Sequence, residues 1–202
     1  MNIIIGAIIA PSLVAFSGVW YIWNTCAGIN KPNLVSWAIW ALIGWALFLV
    51  TQDNPRADTM TKIFAFILAL SPTLVAVVAL EKGAIERVGV MEVISAIIAL
   101  VALGTWWQMK DNQGVLPVMI AIIADACALI PTLRFVFRTP QEDRPMPWLA
   151  FSTGSLLTLV SIEQWNAESW LLPTYMMFGS FAVFVPLAWY RWKRQVPWRE
   201  WV

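Results

Sequence analysis

The stretch IIADACALIPTLRFVFRTPQ, residues 122–141, combines a long apolar run with features that an ordinary buried helix avoids. Asp125 lies inside the run, Pro131 follows six residues later, and Arg134 and Arg138 lie near its end. Together with the apolar residues before it, the run is long enough to cross a bilayer, which takes about 20 residues. The stretch therefore predicts a membrane-spanning helix with a carboxylate near its middle.

The composition of the whole chain indicates the same class. Of the 202 residues, 60% are hydrophobic and 12% are charged, which is about half the charge of a soluble domain. The mean hydropathy is +0.71. The apolar residues come in long blocks without period-2 alternation, which favours spanning helices over a membrane barrel. We therefore expect an all-α integral membrane protein.

The same composition excludes several kinds of site. A net charge of +1 argues against nucleic acid as a partner, because nucleic acid requires a clustered basic face. The chain has no His, which excludes His-based metal sites and His-ligated haem, and we expect no cofactor. Cys26 and Cys127 lie too far apart for a CxxC motif and are interpreted as packing residues.

The polar breaks divide the chain into seven predicted spans. The predicted spans are residues 3–23, 34–51, 60–80, 91–107, 115–137, 148–165 and 170–190. All the connections between them are short, so we expect a single membrane domain, residues 1–202, with no second domain in a loop.

The distribution of Lys and Arg predicts the orientation. With seven spans, the N-terminus shares one side with Arg56, Lys62 and Lys110. The opposite side holds the other ten, namely Lys31, Lys82, Arg87, Arg134, Arg138, Arg144, Arg191, Lys193, Arg194 and Arg199. We expect an integral protein of the cell (inner) membrane with the N-terminus outside and the C-terminus in the cytoplasm.

The chain also shows a weak internal repeat. Residues 8–37 can be laid over residues 122–148: both begin with IIA, reach an aromatic-rich helix end, and continue through a polar loop with a proline to a Trp. The next segments, WAIWALIGWALFLVTQ and WLAFSTGSLLTLVSIEQ, also run in parallel. This predicts two three-helix repeats (1–80 and 113–202) joined by a linker helix within 81–112, a 3+1+3 plan known among transporters.

The segment IPTLRFVFRTPQED resembles the motif of the PQ-loop superfamily, which includes the SWEET sugar transporters. Pro131 stands where the motif has its proline, and Thr132 stands where the motif has Gln. The first half departs from the motif, with Ser17 and Gly18 at the corresponding positions. The resemblance implies a 3+1+3 arrangement with the N-terminus outside, and it leaves the substrate open.

Asp125 has two interpretations. A charged side chain at mid-bilayer costs about 2.5–3.5 kcal/mol on insertion scales and persists when it faces a cavity or meets a partner. It is predicted to bind a substrate or a coupled proton. The alternative is an acid that holds neighbouring helices together.

Pro131 removes a hydrogen bond to the carbonyl of Cys127 and predicts a kink beside Asp125. Together with Pro72 and Pro173, which are also followed by Thr, it could provide hinges for alternating access. The hydroxyl of Thr132 could satisfy a backbone group near the break. The alternative is that prolines are simply common in spanning helices.

Four further side chains are candidate substrate ligands. Trp40 and Trp45 lie deep in the second span and offer flat indole faces. Ser152 and Ser155 lie on a small polar stripe that could line a water path or serve close helix packing. Trp37, in contrast, is interpreted as an interfacial anchor.

The sequence thus predicts a transporter or facilitator of a small polar solute, working around a midplane pocket near Asp125. The alternative is an accessory or structural subunit of a membrane complex without transport activity. An enzyme is not expected, since the chain has no GxSxG, HExxH or P-loop motif. The expected partners are the lipid bilayer, the solute, and either further copies of the chain or a larger complex.

Overall fold

In the computed structural model of the chain, residues 8–53, 59–83, 89–109, 115–162, 165 and 167–202 are described. This part of the chain forms seven α-helices and no strand. The helices are α1 (Ala10–Cys26), α2 (Leu34–Asp53), α3 (Thr59–Glu81), α4 (Val90–Met109), α5 (Val115–Arg138), α6 (Pro145–Val160) and α7 (Ala167–Lys193).

Proline and glycine mark several helix ends. Pro145 opens α6 and Pro11 lies in the first turn of α1, where the missing N–H has no helical partner to lose. Gly28, just past α1, has φ +72°, and Gly83, just past α3, has φ +62°. Glycine adopts this left-handed conformation without strain, so both helices end there.

The helices pack as two similar triplets. In the first triplet α3 packs against both α1 and α2, and in the second α7 packs against both α5 and α6. The triplets meet through two reciprocal contacts, α1 with α6 and α2 with α5. Helix α4 packs against α5 and α2 at the periphery.

The outer surface is strongly apolar. Helix α4 buries Glu92, Ser95, Ala99 and Trp106 along one face, and exposes large aliphatic residues on the others. By length and hydropathy, three helical segments of the described chain could cross a membrane: Val90–Met109, Val118–Arg138 and Trp170–Lys193. Such an exposed apolar belt is expected of a protein embedded in a bilayer.

Two glycines allow close helix contacts. A methyl group added at Gly44 of α2 would lie 2.5 Å from the carbonyl oxygen of Leu68 in α3. One added at Gly154 of α6 would lie 2.6 Å from a methyl carbon of Val14 and 3.2 Å from the carbonyl oxygen of Ala10, both in α1. Small residues at such crossings let helix backbones approach closely, as membrane helices often do.

The loops at one end of the bundle are tied together. Lys31, in the α1–α2 loop, donates its backbone N–H to the carbonyl of Glu142 at 2.9 Å, and its ammonium contacts the Glu142 carboxylate at 2.8 Å. The Met146 N–H donates to the carbonyl of Trp201 in the tail. This end therefore joins both triplets and the C-terminal tail.

The predicted spans match the observed helices closely, with three differences. The seventh helix, Ala167–Lys193, extends three residues beyond the predicted 170–190 at each end. The sixth begins at Pro145 and ends at Val160 instead of covering 148–165, because the helix starts at its proline. The first helix continues to Cys26. The beginning of the first predicted span (3–7) and the charges Arg56, Arg87 and Lys110 lie outside the described residues.

Candidate functional site

A cavity of about 140 Å³ lies between the two triplets. Every helix of both triplets contributes to its lining, and peripheral α4 does not. An engineered apolar cavity of about 150 Å³ holds one benzene molecule, so the space fits a small organic group. Most of the lining is apolar or aromatic, with a few polar groups, as is usual for small-molecule sites.

Asp125 of α5 lines this cavity. Its Oδ2 accepts a hydrogen bond of 2.7 Å from the hydroxyl of Tyr175, in α7. The indole N–H of Trp40 also lies near the carboxylate but makes no hydrogen bond. Among the described residues that line the cavity, Asp125 is the only Asp, Glu, Lys or Arg.

Four aromatic rings from three helices form a cluster at the cavity, which we call the aromatic box: Tyr21, Trp37, Trp40 and Trp148. Ring centroids lie 4.6 Å apart for Tyr21 and Trp37 and 5.2 Å apart for Trp37 and Trp40. Trp148 lies 5.5 Å from Tyr21 and 6.2 Å from Trp40. Rings at these separations attract one another beyond the burial of their area.

Behind the aromatic box lies a fully buried acid, Asp143, in the α5–α6 loop. Its Oδ2 accepts hydrogen bonds from the Tyr21 hydroxyl (3.1 Å) and the Trp148 indole N–H (3.2 Å). Its Oδ1 accepts the backbone N–H of Arg144 at 2.7 Å. Asp143 therefore fixes one box residue from each triplet.

Burial sets the proton affinity of Asp143. Removal from water raises the pKa of its carboxyl to about 7, and the Arg144 N–H, the bonds from Trp148 and Tyr21, and the Arg191 charge oppose the rise. The buried guanidinium of Arg191 supports the loop from α7 by donating to the backbone carbonyls of Asp143, Pro140 and Glu200. This arrangement holds the loop against the end of the cavity.

Two of the predicted ligands line the cavity and three do not. Asp125 and Trp40 line it. The Trp45 indole instead donates to the Thr73 hydroxyl at 3.0 Å. The Ser152 hydroxyl donates to the carbonyl of Met177 in α7, which joins two packed helices. The Ser155 hydroxyl donates to the carbonyl of Phe151 in its own helix.

The predicted hinge residues lie inside helices. Pro72 lines the cavity, Pro131 is buried in α5, and Pro173 lies inside α7. The hydroxyl of Thr132 is buried without a hydrogen-bond partner, so it does not satisfy the backbone beside Pro131 as expected. The hydroxyl of Thr73 donates to the carbonyl of Ala69, which is next to the Leu68 carbonyl that Pro72 leaves without its helical partner.

Sequence reasoning missed most of the site. The interpretation of Trp37 as an interfacial anchor is wrong, because Tyr21 and Trp148 cover it and it lines the cavity. Tyr175 and Asp143 were not singled out. The sequence did carry one signal, because it has many Tyr and Trp residues for seven predicted spans. Some of them must be buried, and a buried Tyr or Trp usually needs a polar hydrogen-bond partner.

Glu92, at the start of α4, is a buried acid outside the cavity lining. Its carboxylate accepts the N–H of Gly89 at 2.9 Å and lies 3.6 Å from the Arg134 guanidinium. The pair joins α4 to α5 away from the cavity lining. Its role is structural packing of the peripheral helix.

Comparisons of the chain with protein-family models, with curated proteins and with solved structures found no match.

Proposed function

We propose that the chain is a seven-span membrane transporter built from two three-helix repeats, α1–α3 and α5–α7, with α4 as the linker. The packing supports this assignment, because the third helix of each triplet lies between the other two. The reciprocal contacts α1–α6 and α2–α5 are those expected of a two-fold relation between the repeats. This is the plan that the PQ-loop resemblance implies.

We propose that a small solute binds in the central cavity and crosses by rocking of the two triplets. One observation carries this proposal: Asp125, the one acid among the described lining residues, lies in a cavity lined by all six helices of the triplets. Ionisable groups inside membrane proteins mark substrate or ion pathways, because their burial is costly. Transporter sites commonly lie between structural repeats. Pro72 and Pro131 are the proposed hinges.

We assign to the cytoplasm the tied end of the bundle, where hydrogen bonds join the α1–α2 loop, the α5–α6 loop and the C-terminal tail. It carries Lys31, Arg144 and Arg191 together with the basic tail, and positive residues favour the cytoplasmic side. In this orientation the aromatic box and Asp143 close the cytoplasmic side of the cavity. Opening toward the cytoplasm would separate Tyr21 in the first triplet from Trp148 in the second.

The test is solute uptake into proteoliposomes, with a panel of sugars, amino acids, vitamins and small amines. We expect wild-type protein to transport at least one solute class and Asp125→Asn to lose about tenfold or more of that flux, because binding sites depend strongly on buried charges. The variant keeps the shape of the side chain and an oxygen that can accept from Tyr175.

Trp45→Phe is the matched control, since Trp45 lies in a cavity-lining helix but outside the lining, and its flux should stay near wild type. Wild-type vesicles that transport none of the panel would contradict a transport function. Unchanged flux in Asp125→Asn would remove this carboxylate from the mechanism.

A further inference from the structure

The Asp125 carboxylate faces no positive charge from the described residues that line its cavity. Within the described lining there is no Lys or Arg, and its direct partner is the neutral hydroxyl of Tyr175. A carboxylate that is partly shielded from water and held by a neutral donor is costly unless it takes up a proton or a cation. A ligand can therefore supply the positive charge that the described lining lacks.

The walls around the acid favour an organic cation over a metal ion. Hard metal ions need several oxygen ligands, and no cluster of three acidic, Cys or His side chains exists in the described part of the chain. The cavity instead presents the rings of Tyr21, Trp40 and Trp148. Ammonium groups bind aromatic faces by cation–π attraction, and quaternary ammonium groups are often held in aromatic cages.

We infer that the cavity binds a small organic cation, a quaternary or protonated amine, with Asp125 as its counter-charge and the aromatic box as its wall. This inference rests on the proposed transport function and gives the substrate class. The volume of about 140 Å³ suits a trimethylammonium-sized group. A neutral solute bound to a protonated Asp125 is the competing outcome.

The test compares two ligands that differ in charge alone. Choline carries a permanent positive charge, and 3,3-dimethylbutan-1-ol is its neutral carbon isostere. Equilibrium dialysis and tryptophan fluorescence measure binding to purified protein in lipid nanodiscs, and tetramethylammonium and a primary alkylamine complete the cation panel. We expect wild-type protein to bind at least one cation, and choline about tenfold or more tightly than the isostere.

Asp125→Asn should abolish the preference for choline over the isostere, and Trp45→Phe should keep it. The inference is overturned if no cation of the panel binds, or if the isostere binds as tightly as choline. Both comparisons use wild-type protein, so they hold even if a variant does not fold. The flux assay separates the two proposals: transport of neutral solutes without cation binding overturns this inference alone, whereas cation binding without flux of any solute overturns the transport function.

Discussion

Asp143 shows how a single buried acid can couple proton binding to folding. Its pKa is about 7 in the folded chain against an ordinary value of 3.8, so between these values the folded state holds a proton that the unfolded state has lost. The contribution of this group to the free energy of unfolding therefore falls as the pH rises through this range and levels off above it.

We expect the melting temperature of the wild type in detergent to fall between pH 5 and pH 7 and then to level off. Asp143→Asn removes the titrating group while keeping an oxygen that can accept from Tyr21 and Trp148, so its melting temperature should change much less over this range. Glu142→Gln is the matched control. Glu142 precedes Asp143 in the chain, but its carboxylate is partly exposed and pairs with Lys31. Equal pH dependence in wild type and Asp143→Asn would contradict this account.

The individual residues of the site were only partly predictable from the sequence. The cost of charge in a membrane identified Asp125, because one carboxylate in an apolar run is visible in the sequence alone. The partner Tyr175 lies fifty positions away on another helix, and no local pattern pairs the two. Trp37 was misplaced for the same reason: an indole near a helix end anchors at the interface unless another helix covers it.

At the scale of helices, the sequence was much more informative. Apolar runs and polar breaks predicted α2 to α5 within two residues at each end, because bilayer thickness fixes span length. The sixth helix was misplaced because Pro145 was counted with the loop, although proline is favoured in a first helical turn. Which helices pack together could be predicted only through the repeat.

The crossing of α2 and α3 gives a prediction at this scale. Gly44→Ala would place a methyl group 2.5 Å from the Leu68 carbonyl oxygen and 2.7 Å from the Ala69 Cα. Both atoms are backbone, so the helices must move apart. We expect this variant to lose about 1–3 kcal/mol of stability, as overpacked cores do, measured by denaturant unfolding in mixed micelles.

Gly104→Ala is its control, because a methyl group added there, on exposed α4, meets nothing within 4 Å. Alanine is favoured over glycine inside a helix by about 1 kcal/mol, so this variant should be as stable as wild type or more so. If both variants unfold like wild type, the α2–α3 crossing is looser than the structure indicates.

At the scale of the whole molecule, the proposed orientation depends on which end of the bundle faces the cytoplasm. Val202 ends the tail at the tied end, whereas Trp165 lies at the opposite end, between α6 and α7. Both side chains are exposed. Cysteine at either position, in a chain whose Cys26 and Cys127 are replaced by Ala, can report the side of the membrane with an impermeant maleimide.

We expect Trp165→Cys to react in intact bacterial spheroplasts and Val202→Cys to react only in inside-out vesicles. The reason is that the seven-span prediction assigns ten of the thirteen Lys and Arg residues to the cytoplasmic side. If both positions are labelled from the same side, an even number of spans lies between them. In that case α7 does not cross the membrane as proposed. The reverse pattern would keep the seven spans and place the aromatic box and Asp143 at the outer mouth of the cavity, so the closed side would face the exterior.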